Sequence, residues 1–108
     1  MIRVMIVDDH AVVRRGLEQL LGTADDIDVV GSASDGGEAI ERAVELAPDV
    51  VLMDLSMPTV DGIEATRRIT SEVEGVHVIV LTAFAEQRKV LDALEAGASG
   101  YILKDSTP

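Results

Sequence analysis

The stretch Ile2-Arg3-Val4-Met5-Ile6-Val7-Asp8-Asp9-His10 decides how the rest of the chain is read. It is a short apolar run, rich in β-branched residues, that stops abruptly in two acids. Continuous apolar runs of this length mark strands buried on both faces, as in a parallel sheet. Further runs of the same kind are Ile27–Ser32, Val50–Met53, His77–Leu81 and Gly100–Leu103. Between the runs, apolar residues recur at helical spacing. Val12, Val13, Gly16, Leu17, Leu20 and Leu21 form a first stripe, ended by Gly22. Gly36-Gly37 reads as a turn, and Ala39, Ile40, Ala43 and Val44 form a second stripe, stopped by Pro48. Ile63, Thr66, Ile69 and Val73 form a third, ended near Gly75. Val90, Leu91 and Leu94 form a fourth, with Gly97 as its C-cap. The order βαβαβαβαβ predicts an α/β fold, a doubly wound parallel sheet with helices on both faces and right-handed crossovers.

The 108 residues suit one domain, 1–108, with no repeat and no internal linker. Acidic residues outnumber basic ones 20 to 9, for a net charge of -11. Such a surface repels the phosphates of nucleic acid and anionic lipid, so neither DNA, RNA nor membrane is an expected partner of this domain. Cysteine is absent, which excludes disulfides, thiolate nucleophiles and cysteine zinc sites. No apolar run approaches the ~18 residues of a membrane span, and no signal-peptide pattern opens the chain. The expected location is therefore cytoplasmic. Aromatic residues are only Phe84 and Tyr101, so the core must be aliphatic. Ser106-Thr107-Pro108 reads as an N-cap and first helical turn. Four helices leave part of one face of a five-stranded sheet bare. The expectation is a fifth helix beyond residue 108, in a longer parent protein.

Ligands of open parallel sheets bind outside the carboxyl ends of the strands. There the sequence places Asp8, Asp9 and His10 after the first strand, Asp54 after the third, Thr82 after the fourth and Lys104 after the fifth. Any one of them has a bland reading: an Asp as a helix cap, Thr82 as a strand former, Lys104 as a solvated end. Asp54 resists it, because it closes the buried run Val50-Val51-Leu52-Met53. Clustered carboxylates repel and raise one another's pKa, and a hard divalent cation relieves that. An oxygen-only donor set suits Mg²⁺ or Mn²⁺ better than zinc. With a cation beside Asp54, a phosphoryl group can approach, and Thr82 and Lys104 can bind its oxygens. These are the components of phosphoryl transfer.

The same residues closely resemble the receiver domains of two-component response regulators over essentially the whole chain. The matching segments are Val7-Asp8-Asp9-His10, Asp54-Leu55-Ser56-Met57-Pro58 with Asp61-Gly62, Val80-Leu81-Thr82-Ala83 and Gly97 to Asp105. The resemblance implies a flavodoxin-like (CheY-like) fold with strand order 2-1-3-4-5. It implies Asp54 as phosphoacceptor, and Mg²⁺ held by Asp9, Asp54 and the main-chain carbonyl of Ser56, with Asp8 acting mainly through water. Thr82 and Lys104 would bind the phosphoryl group, and Tyr101 would be the aromatic that turns in response. The donor would be a sensor histidine kinase. Asp8-Asp9-His10 with Arg14 and Gly16-Leu17, and Lys104-Asp105 where many receivers have Lys-Pro, look like the NarL/LuxR-type subgroup. A cis bond to a non-proline residue costs about 3 kcal/mol, so the cis peptide of other receivers is not carried over to Lys104-Asp105. The subgroup implies a helix-turn-helix DNA-binding domain following the receiver in a parent transcription factor; in the family the fifth helix commonly helps form receiver dimers, which leaves a homodimer on phosphorylation open.

Other classes fit less well. A phosphohydrolase of haloacid-dehalogenase style wants a general acid two positions beyond its nucleophile, where Ser56 stands. A flavin binder wants more than two aromatics. Neither GxGxxG nor GxxxxGK[ST] occurs, which argues against dinucleotide and P-loop binding. A scaffold without turnover would not need every site residue. His10 reads as a helix-start residue rather than a phosphohistidine or metal ligand, Phe84 as a surface or loop residue, and Glu38, Glu41 and Glu45 as an exposed helix face. Arg14-Arg15 and Arg67-Arg68 read as solvated helix faces, with a kinase or sister-subunit contact as the alternative.

Overall fold

The computed structural model describes residues 1–55, 62–82 and 88–103. The elements alternate without interruption: β1 Ile2–Val7, α1 Ala11–Gly22, β2 Ile27–Ala33, α2 Gly36–Leu46, β3 Val50–Asp54, α3 Gly62–Glu72, β4 His77–Thr82, α4 Arg88–Glu95 and β5 Gly100–Leu103. The sheet is parallel, with order β2-β1-β3-β4-β5. Every strand expected from its apolar run forms. β2, β3 and β4 each run one residue further than the apolar run, taking in Ala33, Asp54 and Thr82.

That strand order divides the helices. The step from β1 to β2 goes one way across the sheet, and all later steps go the other way. With right-handed crossovers, α1 falls on one face and α2, α3 and α4 on the opposite face. Accordingly, α2 packs on α3 and α3 on α4, while α1 lies against β1 and β2. Side chains alternate along each strand. Met5, Val7, Val51, Met53, Val78 and Val80 point into the main core, with Ala39, Ala43, Ala65 and Ile69 from the helices. Small helix residues let α2 and α3 approach the sheet closely.

The α1 face is thinly covered. No residue of α1 is buried. Val12 is 83% exposed and Leu20 67%, although the sequence pattern points both at a core. Leu52 and Ile79 are half-buried, and Ile102 is exposed. Val13, Leu17, Leu81, Ile102 and Leu103 line an apolar hollow between α1 and β5.

Local chemistry sets the helix ends. Asp35 Oδ1 accepts the Glu38 amide at 2.8 Å, and Glu38 Oε1 accepts the Ser34 amide at 2.7 Å. This reciprocal cap starts α2 at Gly36, so Gly36-Gly37 form its first turn rather than a turn before it. Glu38 is thereby a capping residue, while Glu41 and Glu45 are exposed as expected. Gly97 has φ 117°. Its amide donates to Leu94 and the Ala98 amide donates to Ala93, at 3.1 and 3.0 Å. That paired pattern is the Schellman ending, which favours glycine at this position. At the start of α3, a Cβ on Gly62 would lie 2.5 Å from the Asp54 carbonyl oxygen. Only glycine lets α3 begin so close to the end of β3.

Candidate functional site

The register of the sheet assembles the site. Val7 pairs with Met53, and Asp54 pairs with Leu81. Asp8, Asp54 and Thr82 therefore emerge at one edge, from neighbouring strands. All three are fully buried. Asp9 is 26% exposed at its side chain and His10 66%. Ligand atoms of Asp8, Asp9, His10 and Asp54 all lie within 4.8 Å of one another. Each of the three carboxylates has an oxygen shielded from solvent.

Hydrogen bonds shape the loop from β1 to α1. The Asp8 amide donates to the Ala33 carbonyl at 3.1 Å, tying the end of β1 to β2. Asp8 Oδ1 accepts the His10 amide at 2.8 Å, closing a tight Asx turn. The His10 carbonyl accepts the first helical bond of α1, from the Arg14 amide at 3.0 Å. Arg14 Nη1 donates to the Asp8 carbonyl at 2.6 Å. Two roles differ from the sequence reading. Arg14 is no solvated face: it holds the acidic loop onto α1. His10 does start the helix, as N-cap without a side-chain cap bond, but its ring turns back onto the acids. Its Nδ1 lies 3.1 Å from Asp8 Oδ1 and 3.0 Å from Asp9 Oδ1. Nothing in the residue types announces either contact, because both depend on the turn that Asp8 makes. Arg67, by contrast, pairs with Glu64 at 2.8 Å on an exposed face, as read.

Tyr101 stands on β5 opposite Val80 and is 50% exposed. Thr82 pairs with Leu103, the last residue of β5. Ser56, Met57-Pro58, Phe84, Lys104 and the Lys104-Asp105 peptide lie outside the described residues.

The donor set fits a hard divalent cation. Two carboxylates charged at 4.8 Å repel by about 3.5 kcal/mol at an effective dielectric of about 20. A dication among them turns that repulsion into attraction. Carboxylate oxygens suit Mg²⁺ and Mn²⁺, and the imidazole nitrogen does not exclude either.

Comparison with known proteins gives this geometry a family. The model of the response regulator receiver domain matches residues 4–108. The chain is a receiver domain of the response-regulator family. It is 53% identical over 106 residues to the transcriptional regulatory protein LiaR of Bacillus subtilis (strain 168), covering 98% of this chain and 50% of LiaR. It is 47% identical over 106 residues to the response regulator protein VraR of Staphylococcus aureus (strain Mu3), covering 98% of this chain and 51% of VraR. The receiver thus spans about half the length of the curated relatives it matches. Among solved structures, a LuxR-family response regulator from Aurantimonas superposes with a TM-score of 0.91 at 42% identity, covering 100% of this chain and 77% of that one. The receiver of a putative NarL regulator from Mycobacterium tuberculosis superposes at 0.90 and 38% identity, covering 98% and 86%. These relatives place the receiver in the NarL/LuxR-type subgroup, and its fold is CheY-like. No helix among the described residues is long and apolar enough to cross a membrane.

The cluster predicts an unusual response to charge removal. Asp9→Asn should raise the melting temperature in chelator, because it relieves repulsion. It should also shrink the gain that Mg²⁺ gives. For the unmodified receiver, Mg²⁺ at about 100 times its dissociation constant should add about 2.7 kcal/mol, roughly 10 °C or more. Thermal unfolding with and without Mg²⁺ checks both. A lower melting temperature for Asp9→Asn in chelator would contradict the repulsion argument.

Proposed function

We propose that this receiver is a phosphoacceptor switch of a two-component system. A phosphohistidine of a sensor kinase would be the donor and Asp54 the acceptor. The observation that carries this reading is a fully buried carboxylate at the end of β3 within 4.8 Å of two further acids. Asp8, Asp9, Asp54 and the main-chain carbonyl of Ser56 would hold Mg²⁺. The ion, when bound, supplies positive charge that offsets the negative charge of the incoming phosphoryl group.

The chain's own residues do the rest. The Asp54 carboxylate, ionised and needing no general base, attacks phosphorus in line. A new O–P bond forms as the P–N bond to the kinase histidine breaks, and the electron pair stays on the imidazole nitrogen, which takes a proton from solvent. Thr82 donates its hydroxyl hydrogen to a phosphoryl oxygen, and Lys104 pairs with another. Gly62 and the Asx turn of Asp8 hold the nucleophile and the acidic loop in place. The acyl phosphate adds roughly -1.5 to -2 charge at one buried point. Thr82 moves toward it, Tyr101 turns into the space released, and the surface of α4 and β5 changes shape. That two-state element is the output.

The output partner lies outside this receiver. Relatives of about twice its length are transcriptional regulators, which supports a cytoplasmic parent protein that binds DNA through a following helix-turn-helix domain and dimerises on phosphorylation. The bare α1 face and the hollow of Val13, Leu17, Ile102 and Leu103 support a fifth helix after residue 108 as its cover.

Three outcomes test this reading. Incubation with a small acyl-phosphate donor and Mg²⁺ should add one phosphoryl group by intact mass, and none in chelator or in Asp54→Asn. An adduct that persists in Asp54→Asn would remove Asp54 as acceptor. Thr82→Ala should still be phosphorylated but should lose most of the phosphorylation-dependent shift in the Tyr101 signal. An undiminished shift would break the proposed coupling. A version extended by about 15 residues, enough for four helical turns, should melt higher than the 108-residue chain. Equal melting temperatures and monomeric behaviour for both would discard the fifth helix.

A further inference from the structure

His10 sits where an all-oxygen cation site has no need of a nitrogen. Its amide is clamped by Asp8 Oδ1 at 2.8 Å, and its Nδ1 is 3.1 Å from that oxygen and 3.0 Å from Asp9 Oδ1. The nitrogen therefore stands among the same oxygens that would surround a cation. All four donor groups fall within one 4.8 Å cluster. The ring is 66% exposed, so it is not wedged there by packing. The backbone turn puts it there.

From this placement we infer that His10 is itself a metal ligand, and that the site is a mixed carboxylate–imidazole site selective for Mn²⁺ over Mg²⁺. The inference rests on the reading of this cluster as a cation site. Imidazole suits first-row transition ions, whereas Mg²⁺ takes oxygen and keeps its waters. Without an ion, Nδ1 is at hydrogen-bond distance from Asp8 Oδ1, 3.1 Å, and 3.0 Å from Asp9 Oδ1. As a ligand, the ring would offer the Nδ1 lone pair and carry its hydrogen on Nε2. Mn²⁺ gains a ligand in this way. Mg²⁺ gains little, and selectivity follows from the difference.

A rival role for His10 makes the opposite prediction. If the ring only hydrogen-bonds to the acids, any cation must displace it, and removing it should tighten Mg²⁺ and Mn²⁺ equally. The test is calorimetric titration of MgCl₂ and of MnCl₂ into the unmodified receiver, His10→Ala and His10→Asn. Thermal melts confirm that each variant folds. Removing groups that support a metal site costs about 10- to 100-fold in affinity. His10→Ala should lose at least about tenfold for Mn²⁺, with a far smaller change for Mg²⁺. Electron spin echo spectra of the bound Mn²⁺ should show modulation from a coordinated nitrogen, present in the unmodified receiver and absent in His10→Ala. An unchanged ratio of Mn²⁺ to Mg²⁺ affinity, or no nitrogen modulation, overturns the role of His10 while leaving the cation site intact. Failure of both ions to bind the unmodified receiver overturns the cation site and this inference together.

Discussion

Negative charge gathered at the ends of adjacent strands is the constraint on which the rest of this receiver depends. Asp8 and Asp54 are fully buried, and Asp9 is partly exposed. A free-standing chain would keep such groups apart and in water. Here the β1–β3 pairing brings them together, because Val7 and Met53 are register partners. The hydrophobic burial of Met5, Val7, Val51 and Met53 holds that pairing against the repulsion. The fold thus stores an electrostatic demand at one edge, and a cation or a pair of cationic groups answers it.

The helices serve the same edge unequally. Gly62 lets α3 start against the Asp54 carbonyl, so the phosphoacceptor candidate is braced from behind. Arg14 braces the opposing loop from α1, through the Asp8 carbonyl. The α2–α4 face is a packed aliphatic core, whereas the α1 face leaves apolar side chains in water. One side of the sheet is therefore rigid support, and the other is open to a further element. At the β4–β5 edge Thr82 is buried and Tyr101 is half-exposed.

Much of this was legible in residue order. The apolar runs identified all five strands, because a strand buried on both faces has little alternative composition. The strand ends then placed Asp8, Asp9, Asp54 and Thr82 together. The stripe on α1 was legible as amphipathic, but its burial was not: periodicity says which face is apolar, never what lies against it. Arg14 and Glu38 act otherwise than their residue types suggest, and His10, which starts α1 as read, also turns its ring onto the acids, for a different reason. Each acts through a bond between a side chain and a nearby main-chain group, or through a turn that such a bond creates. Those bonds depend on dihedral angles that the residue type leaves open. Ser56 and Lys104, named from the resemblance, lie outside the described residues.

The central claim is that cation and phosphoryl group act on this one edge and that the effect travels through β4 to β5. Amide-resolved NMR of the labelled receiver tests it directly, with Mg²⁺ added first and an acyl-phosphate donor second. The account predicts that Mg²⁺ alone shifts the amides of Asp8, Asp9, His10, Asp54 and Leu55. The donor should then extend the changes to Thr82, Tyr101 and α4. Shifts that begin elsewhere, or a phosphorylation response that never leaves the β1 and β3 ends, would contradict it.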